Sequence, residues 1–102
     1  MDIYVYSVFK FPLWRASSLI LDISKEGLKG ELTQKMPIKV GRSYWLEIPV
    51  QRVNYAEPMF FLIKSECRWV ASEGLLWGAS FLAVDEKNAM YLNSLIAKYS
   101  GH

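Results

Sequence analysis

Hydrophobic and polar positions alternate along most of this chain and change period once, near its C-terminus. In YWLEIPV (44–50), Tyr44, Leu46, Ile48 and Val50 fall on one side and Trp45, Glu47 and Pro49 on the other, the period-two pattern of a half-buried strand. Pro49 marks the end or an edge of that strand. MFFLIKSECRWV (59–70) alternates as well, with Met59, Phe61, Ile63, Cys67 and Trp69 on one side and Lys64, Glu66 and Arg68 on the other. Two antiparallel strands are predicted, joined by the polar QRVNYAEP (51–58). The turn ASEG (71–74), with Gly74 supplying the unusual backbone angles, leads into LLWGASFLAV (75–84). Gly78, in mid-strand, signals a bulge or a close approach of another group to the backbone. Upstream, IYVYSVF and SSLILDI read as strands separated by KFPLWRA, and GLKGEL as a short one.

From Asp85 the period becomes helical, with Ala89, Leu92, Ile96 and Tyr99 on one face, Asp85 as N-cap and Gly101 after the last turn. The pattern therefore predicts an all-β chain of six short strands with one C-terminal helix, arranged as a small antiparallel barrel or sandwich. A length of 102 residues suits a single domain spanning 1–102.

Composition narrows the function classes. With 52% hydrophobic and 15% aromatic residues the chain has ample core formers, and 22% charged residues is near the globular average. A net charge of +2 is too small for a nucleic-acid footprint, which ranks a single-stranded nucleic-acid binder last among the readings. The charge is uneven. Residues 1–42 carry seven bases (Lys10, Arg15, Lys25, Lys29, Lys35, Lys39, Arg42) against four acids (Asp2, Asp22, Glu26, Glu31), so the front half is the part expected to meet an anion.

Cys67 is the one cysteine and His102 the one histidine, so neither an internal disulfide nor a His/Cys metal set is expected, and a reducing cytoplasm fits. No apolar run is long enough to span a membrane, and the N-terminus with Asp2 does not read as a signal peptide. A nucleophile lacks a paired base, so no enzymatic activity and no catalytic residues are expected.

The stretch LDISKEGLKG (21–30) sets an acid and a hydroxyl two residues apart and then a glycine, where an apolar run stops. Turn chemistry alone accounts for Asp22, Ser24 and Gly27, since Asp and Ser bond neighbouring backbone and Gly accepts positive φ. The same residues also suit a ligand: a carboxylate accepts the paired N–H donors of a guanine edge, a hydroxyl donates and accepts, and a glycine lets backbone come close.

The order of elements, together with Asp22-Ile23-Ser24-Lys25-Glu26-Gly27, resembles the PilZ domain, whose D/N-x-S-x-x-G signature lies at a tip between two barrel strands. The resemblance covers nearly the whole chain, through GLKGEL, VGRSYWLEIPV, IKSECRWV, LLWGASFLAV and the terminal helix. It implies a small six-stranded antiparallel barrel in a bacterial signalling module that binds cyclic di-GMP and relays the event to a partner. Asp22, Ser24 and Gly27 would then be the guanine-side contacts. The family's R-x-x-x-R motif, which grips the phosphates, does not occur in this sequence, and Met1 stands almost inside the first strand that the motif would precede. Arg15 and Lys10, on the connection into the Asp22 strand, are the candidates to replace part of it. Each hydrogen bond to a charged group contributes about 1.5–3 kcal/mol, so a site without the arginines is an incomplete one. The alternative is a degenerate PilZ-like adaptor that no longer binds nucleotide and holds a protein partner, for example in motility or surface-structure assembly.

The remaining features divide between core and surface. Trp69 and Trp77 fall on apolar sides and are expected in the core, whereas Trp45 and Trp14, the latter beside Arg15, are surface candidates for base stacking or a protein contact. Tyr4 and Tyr6 oppose Ile3 and Val5, so the first strand is apolar on both faces and is either covered twice or pairs with a second copy as a homo-oligomer. Lys25, Glu26 and Lys29 read as a solvated rim, and Cys67 as an inert buried thiol.

Overall fold

The computed structural model describes residues 2–7, 15–33, 35, 37–50 and 55–100, with residues 2–7, 15, 16, 99 and 100 described by backbone alone. In chain order the elements are β1 (Asp2–Ser7), β2 (Arg15–Ile23), β3 (Gly27–Leu32), β4 (Ser43–Pro49), β5 (Phe60–Val70), β6 (Leu76–Phe81) and α1 (Glu86–Ser100). The expected antiparallel sheet with a single C-terminal helix is present. The expected six-stranded barrel takes an uneven form. Strands β2-β3-β6-β5-β4 make a half-barrel that holds the core, and β1 bridges its two edges, pairing with β2 from Asp2↔Leu19 to Tyr6↔Arg15 and with β4 from Tyr4↔Glu47 to Ser7↔Tyr44. Both hydrogen-bonding edges of β1 are thus used within the chain, which leaves an oligomer only its side-chain faces; the side chains of Tyr4 and Tyr6 lie outside the described residues.

Alternation builds the core. On β4, Tyr44, Leu46 and Ile48 point inward and are buried, with Val50 continuing the row past the strand end. Phe61, Ile63 and Cys67 do the same on β5, and Ile20, Ile23, Leu28 and Leu32 on β2 and β3. Trp77 is fully buried, and its indole N–H donates to the buried Ser18 Oγ at 2.9 Å, over Gly30 of the intervening β3. Cys67 is buried as expected; burial pushes its thiol pKa up, so the group stays protonated and shielded.

Two expectations on β5 are corrected. Trp69 does not enter the core: the β5–β6 register slips between Cys67 and Trp69, and that bulge turns Trp69 outward, where it remains 40% exposed. Met59 precedes the strand and is exposed as well. Ser65 instead takes an inward position, buried with no hydrogen-bond partner for its Oγ among the described residues. An unpaired buried hydroxyl costs about 1–3 kcal/mol, so Ser65→Ala is expected to raise the urea midpoint, by about 1 kcal/mol of stability. An unchanged or lower midpoint contradicts the burial of a free hydroxyl.

Gly78 meets its expectation in full. The Trp69 indole lies directly against it, and a side chain at that position would collide with Nε1 and Cε2 of the ring. The 71–74 turn also forms as read, with Gly74 at φ +79 and its N–H donating to the Ala71 carbonyl at 2.8 Å.

Helix α1 starts at the expected cap, where the Asn88 N–H donates to Asp85 Oδ1 at 2.8 Å. It packs on β5 and β2. The buried face is rotated from the one read in the sequence: Leu92 and Leu95 reach the core, Tyr91 meets Phe61 with ring centroids 5.7 Å apart, and Ala89 and Ile96 lie only half-buried at the border. The Asn88 amide donates to the Leu62 carbonyl at 2.9 Å and ties the first turn of α1 to β5. The side chain of Tyr99 and all of Gly101 lie outside the described residues. Among the described residues, no helix is long and apolar enough to cross a membrane.

Candidate functional site

The segment between β2 and β3 is a two-residue hairpin turn, Lys25-Glu26, closed by the Ser24 N–H donating to the Gly27 carbonyl at 2.8 Å. Ser24 Oγ accepts from the Glu26 N–H at 3.2 Å and donates to the Gly27 carbonyl at 3.4 Å. The hydroxyl is therefore committed to holding the turn, the local role that serine favours in such loops. Just before it, a register slip between Ile20 and Asp22 re-aims the end of β2.

Asp22 is exposed, and one carboxylate oxygen, Oδ1, accepts from the Ile23 N–H at 3.0 Å. Its other oxygen has no partner among the described residues. Asp22, Ser24 and Gly27 line one open depression of about 270 Å³, together with Glu26, Lys29 and Ser80. That volume lies just under the roughly 300–1,000 Å³ of typical small-molecule pockets and suits part of a ligand rather than all of it.

Gly27 does not play the turn part read in the sequence. Its φ is not positive, so the turn does not call on a glycine for backbone angles. A side chain there would run into the carbonyl oxygen of Ala79 on β6. The close approach that Gly27 allows is therefore that of a neighbouring strand. The Phe81 N–H, donating to the Glu26 carbonyl at 2.7 Å, fastens the same turn to β6.

Among the other sequence candidates, Lys10 and Trp14 lie outside the described residues, and Arg15 begins β2 with its side chain outside them. The cation that does line the depression is Lys29, on the rim that the sequence reads as solvated. Its signal was present, since GLKGEL alternates and places Lys29 on the outer side of β3 between buried Leu28 and Gly30. Glu26 adds a second carboxylate beside Asp22, so the depression carries more negative than positive charge.

A second surface feature lies on the outside of β4 and β5, beside the start of α1. Trp45, Leu62 and Leu82 line a groove there with Lys64, Asp85 and Asn88, and the three apolar residues are 40%, 51% and 39% exposed. Trp45 was expected at the surface. Leu62 was not singled out, although its place between Phe61 and Ile63 on an alternating strand puts it outside.

Comparison with known protein families finds no model that matches the chain, and comparison with curated proteins finds no match either.

Proposed function

We propose that this chain is a PilZ-like signalling module of a bacterial cytoplasm, a six-stranded barrel that works by binding rather than catalysis. It takes a guanine of cyclic di-GMP on the Asp22 side of the β2–β3 turn and relays the event to a protein partner. The observation that carries this reading is Asp22 itself: an exposed carboxylate, braced by the next backbone N–H, with an oxygen left over at the rim of a depression. A guanine edge presents two N–H donors to such a group, and water is the competitor it must displace. Ser24 and Gly27 support the reading indirectly, by holding the turn and seating it on β6, so that Asp22 is presented from a fixed backbone.

The test is isothermal titration of the full chain with cyclic di-GMP at moderate salt. Binding in the micromolar range is expected, with Asp22→Ala weakening it about 10–100-fold, the equivalent of one charge-assisted contact. Heat that is absent at high micromolar ligand sinks the nucleotide reading.

The apolar groove at Trp45, Leu62 and Leu82 favours a second reading, the nucleotide-free adaptor, because exposed aromatic and aliphatic groups around a few polar ones are the make-up of a protein contact. Under that reading Leu62→Lys breaks capture of the partner and Asp22→Ala leaves it intact.

A further inference from the structure

The outer face of β4 and β5 carries a block of four side chains set by register. Trp45 pairs with Lys64 and Glu47 with Leu62, and alternation puts all four outside, over the buried Leu46 and Ile63. Neighbouring strands stand about 4.8 Å apart and alternate residues about 7 Å apart, so the four share one small area. The apolar residues occupy one diagonal of the block, Trp45 to Leu62, and the opposite charges occupy the other, Glu47 to Lys64. Exposed Phe60, along β5, and Leu82, across the groove, widen the apolar part.

We infer that a second copy of this chain docks on this face, about a two-fold axis that runs along the Trp45–Leu62 diagonal. A two-fold interface sets the same patch against itself, so a residue on the axis meets its own kind and a residue off the axis meets the one across it. Apolar groups tolerate the first position, and charges suit the second only in pairs of opposite sign. The block meets both conditions: Trp45 and Leu62 lie on the axis, and Glu47 of each copy faces Lys64 of the other. A foreign partner imposes no such symmetry on the surface it binds. Lys64 is exposed and has no ion pair among the described residues, whereas Asp85, the acid on the same groove, caps α1 through the Asn88 N–H. A carboxylate offers about four acceptor sites, so Glu47 can take a lysine beside a contact within its own chain. This is also a side-chain face, the kind of surface left to an oligomer once both edges of β1 are paired. The inference is independent of the nucleotide reading and gives the groove of the second reading an identical chain as its occupant.

Sedimentation equilibrium of the full chain from about 1 to 500 µM tests this. A monomer–dimer equilibrium in the micromolar range is expected, the strength of a small interface, and it should weaken as salt screens the two charge pairs. Lys64→Glu sets like charges against each other at both off-axis contacts, as does Glu47→Lys, and each should weaken self-association at least about tenfold. Mixed in equal amounts, the two variants should form a heterodimer within about threefold of the wild-type affinity, because each then meets its opposite at both contacts. Thermal melting followed by circular dichroism, expected unchanged in Lys64→Glu because that side chain is exposed, separates lost association from lost folding. A chain that stays monomeric at about 500 µM overturns the inference and leaves the groove to a foreign partner. A dimer that Lys64→Glu leaves intact overturns it too, and so do two folded variants that stay apart when mixed, since either result puts the contact elsewhere. Where Glu47→Lys, at a half-buried position, does not fold, Lys64→Glu decides alone.

Discussion

Trp77→Ala is expected to lower the stability of this domain by about 3–5 kcal/mol, a large part of the 5–15 kcal/mol typical of a whole domain. The indole is wholly buried in the middle of the half-barrel and is among the largest of the fully buried side chains. Two effects add. Removing the ring leaves a cavity bounded by strands that cannot collapse independently, and the Ser18 hydroxyl loses the N–H it accepts at 2.9 Å. Trp77→Phe separates them, since it keeps most of the volume and removes only the hydrogen bond, for which about 1–2 kcal/mol is expected. Urea unfolding followed by circular dichroism gives both values, and a loss under about 2 kcal/mol for the alanine variant contradicts the central place of Trp77 in the core.

Gly27→Ala is the second large effect, at about 3 kcal/mol or more, although it adds only one methyl group. The new carbon would overlap the Ala79 carbonyl oxygen and press on Ala79 C and Ser80 Cα at 3.0 and 3.1 Å. All three are backbone atoms, so no rotamer change relieves the contact and β3 must move away from β6. Lys25→Ala, two residues away on the exposed turn, should change stability by less than about 0.5 kcal/mol and serves as the control. A Gly27→Ala variant as stable as the control contradicts the strand contact. The expected result also warns against reading lost nucleotide binding in a Gly27 variant as loss of a ligand contact, because Asp22 is presented by the turn that this glycine seats.

Local pattern determined much of this protein from the sequence alone: the six strands, the positive-φ turn at Gly74, the Asp85 cap, the burial of Trp77 and Cys67, and the surface position of Trp45. Each depends on alternation or on a hydrogen bond within a few residues, and such signals are written in consecutive positions. What failed was decided by contacts between distant segments. The bulge after Cys67 shifts the phase of β5 and sends Trp69 outward, the packing of α1 on β5 and β2 selects the face that is buried, and the Ala79 carbonyl leaves no room for a side chain at Gly27. The candidate site divides in the same way. Asp22 and Ser24 are legible as a motif because they are two residues apart, whereas the alignment of Asp22 with Lys29, Gly78 and Trp69 exists only through the pairing of four strands. A period-two pattern states which side of its own strand a residue takes, and only the register between strands states which residue stands beside it.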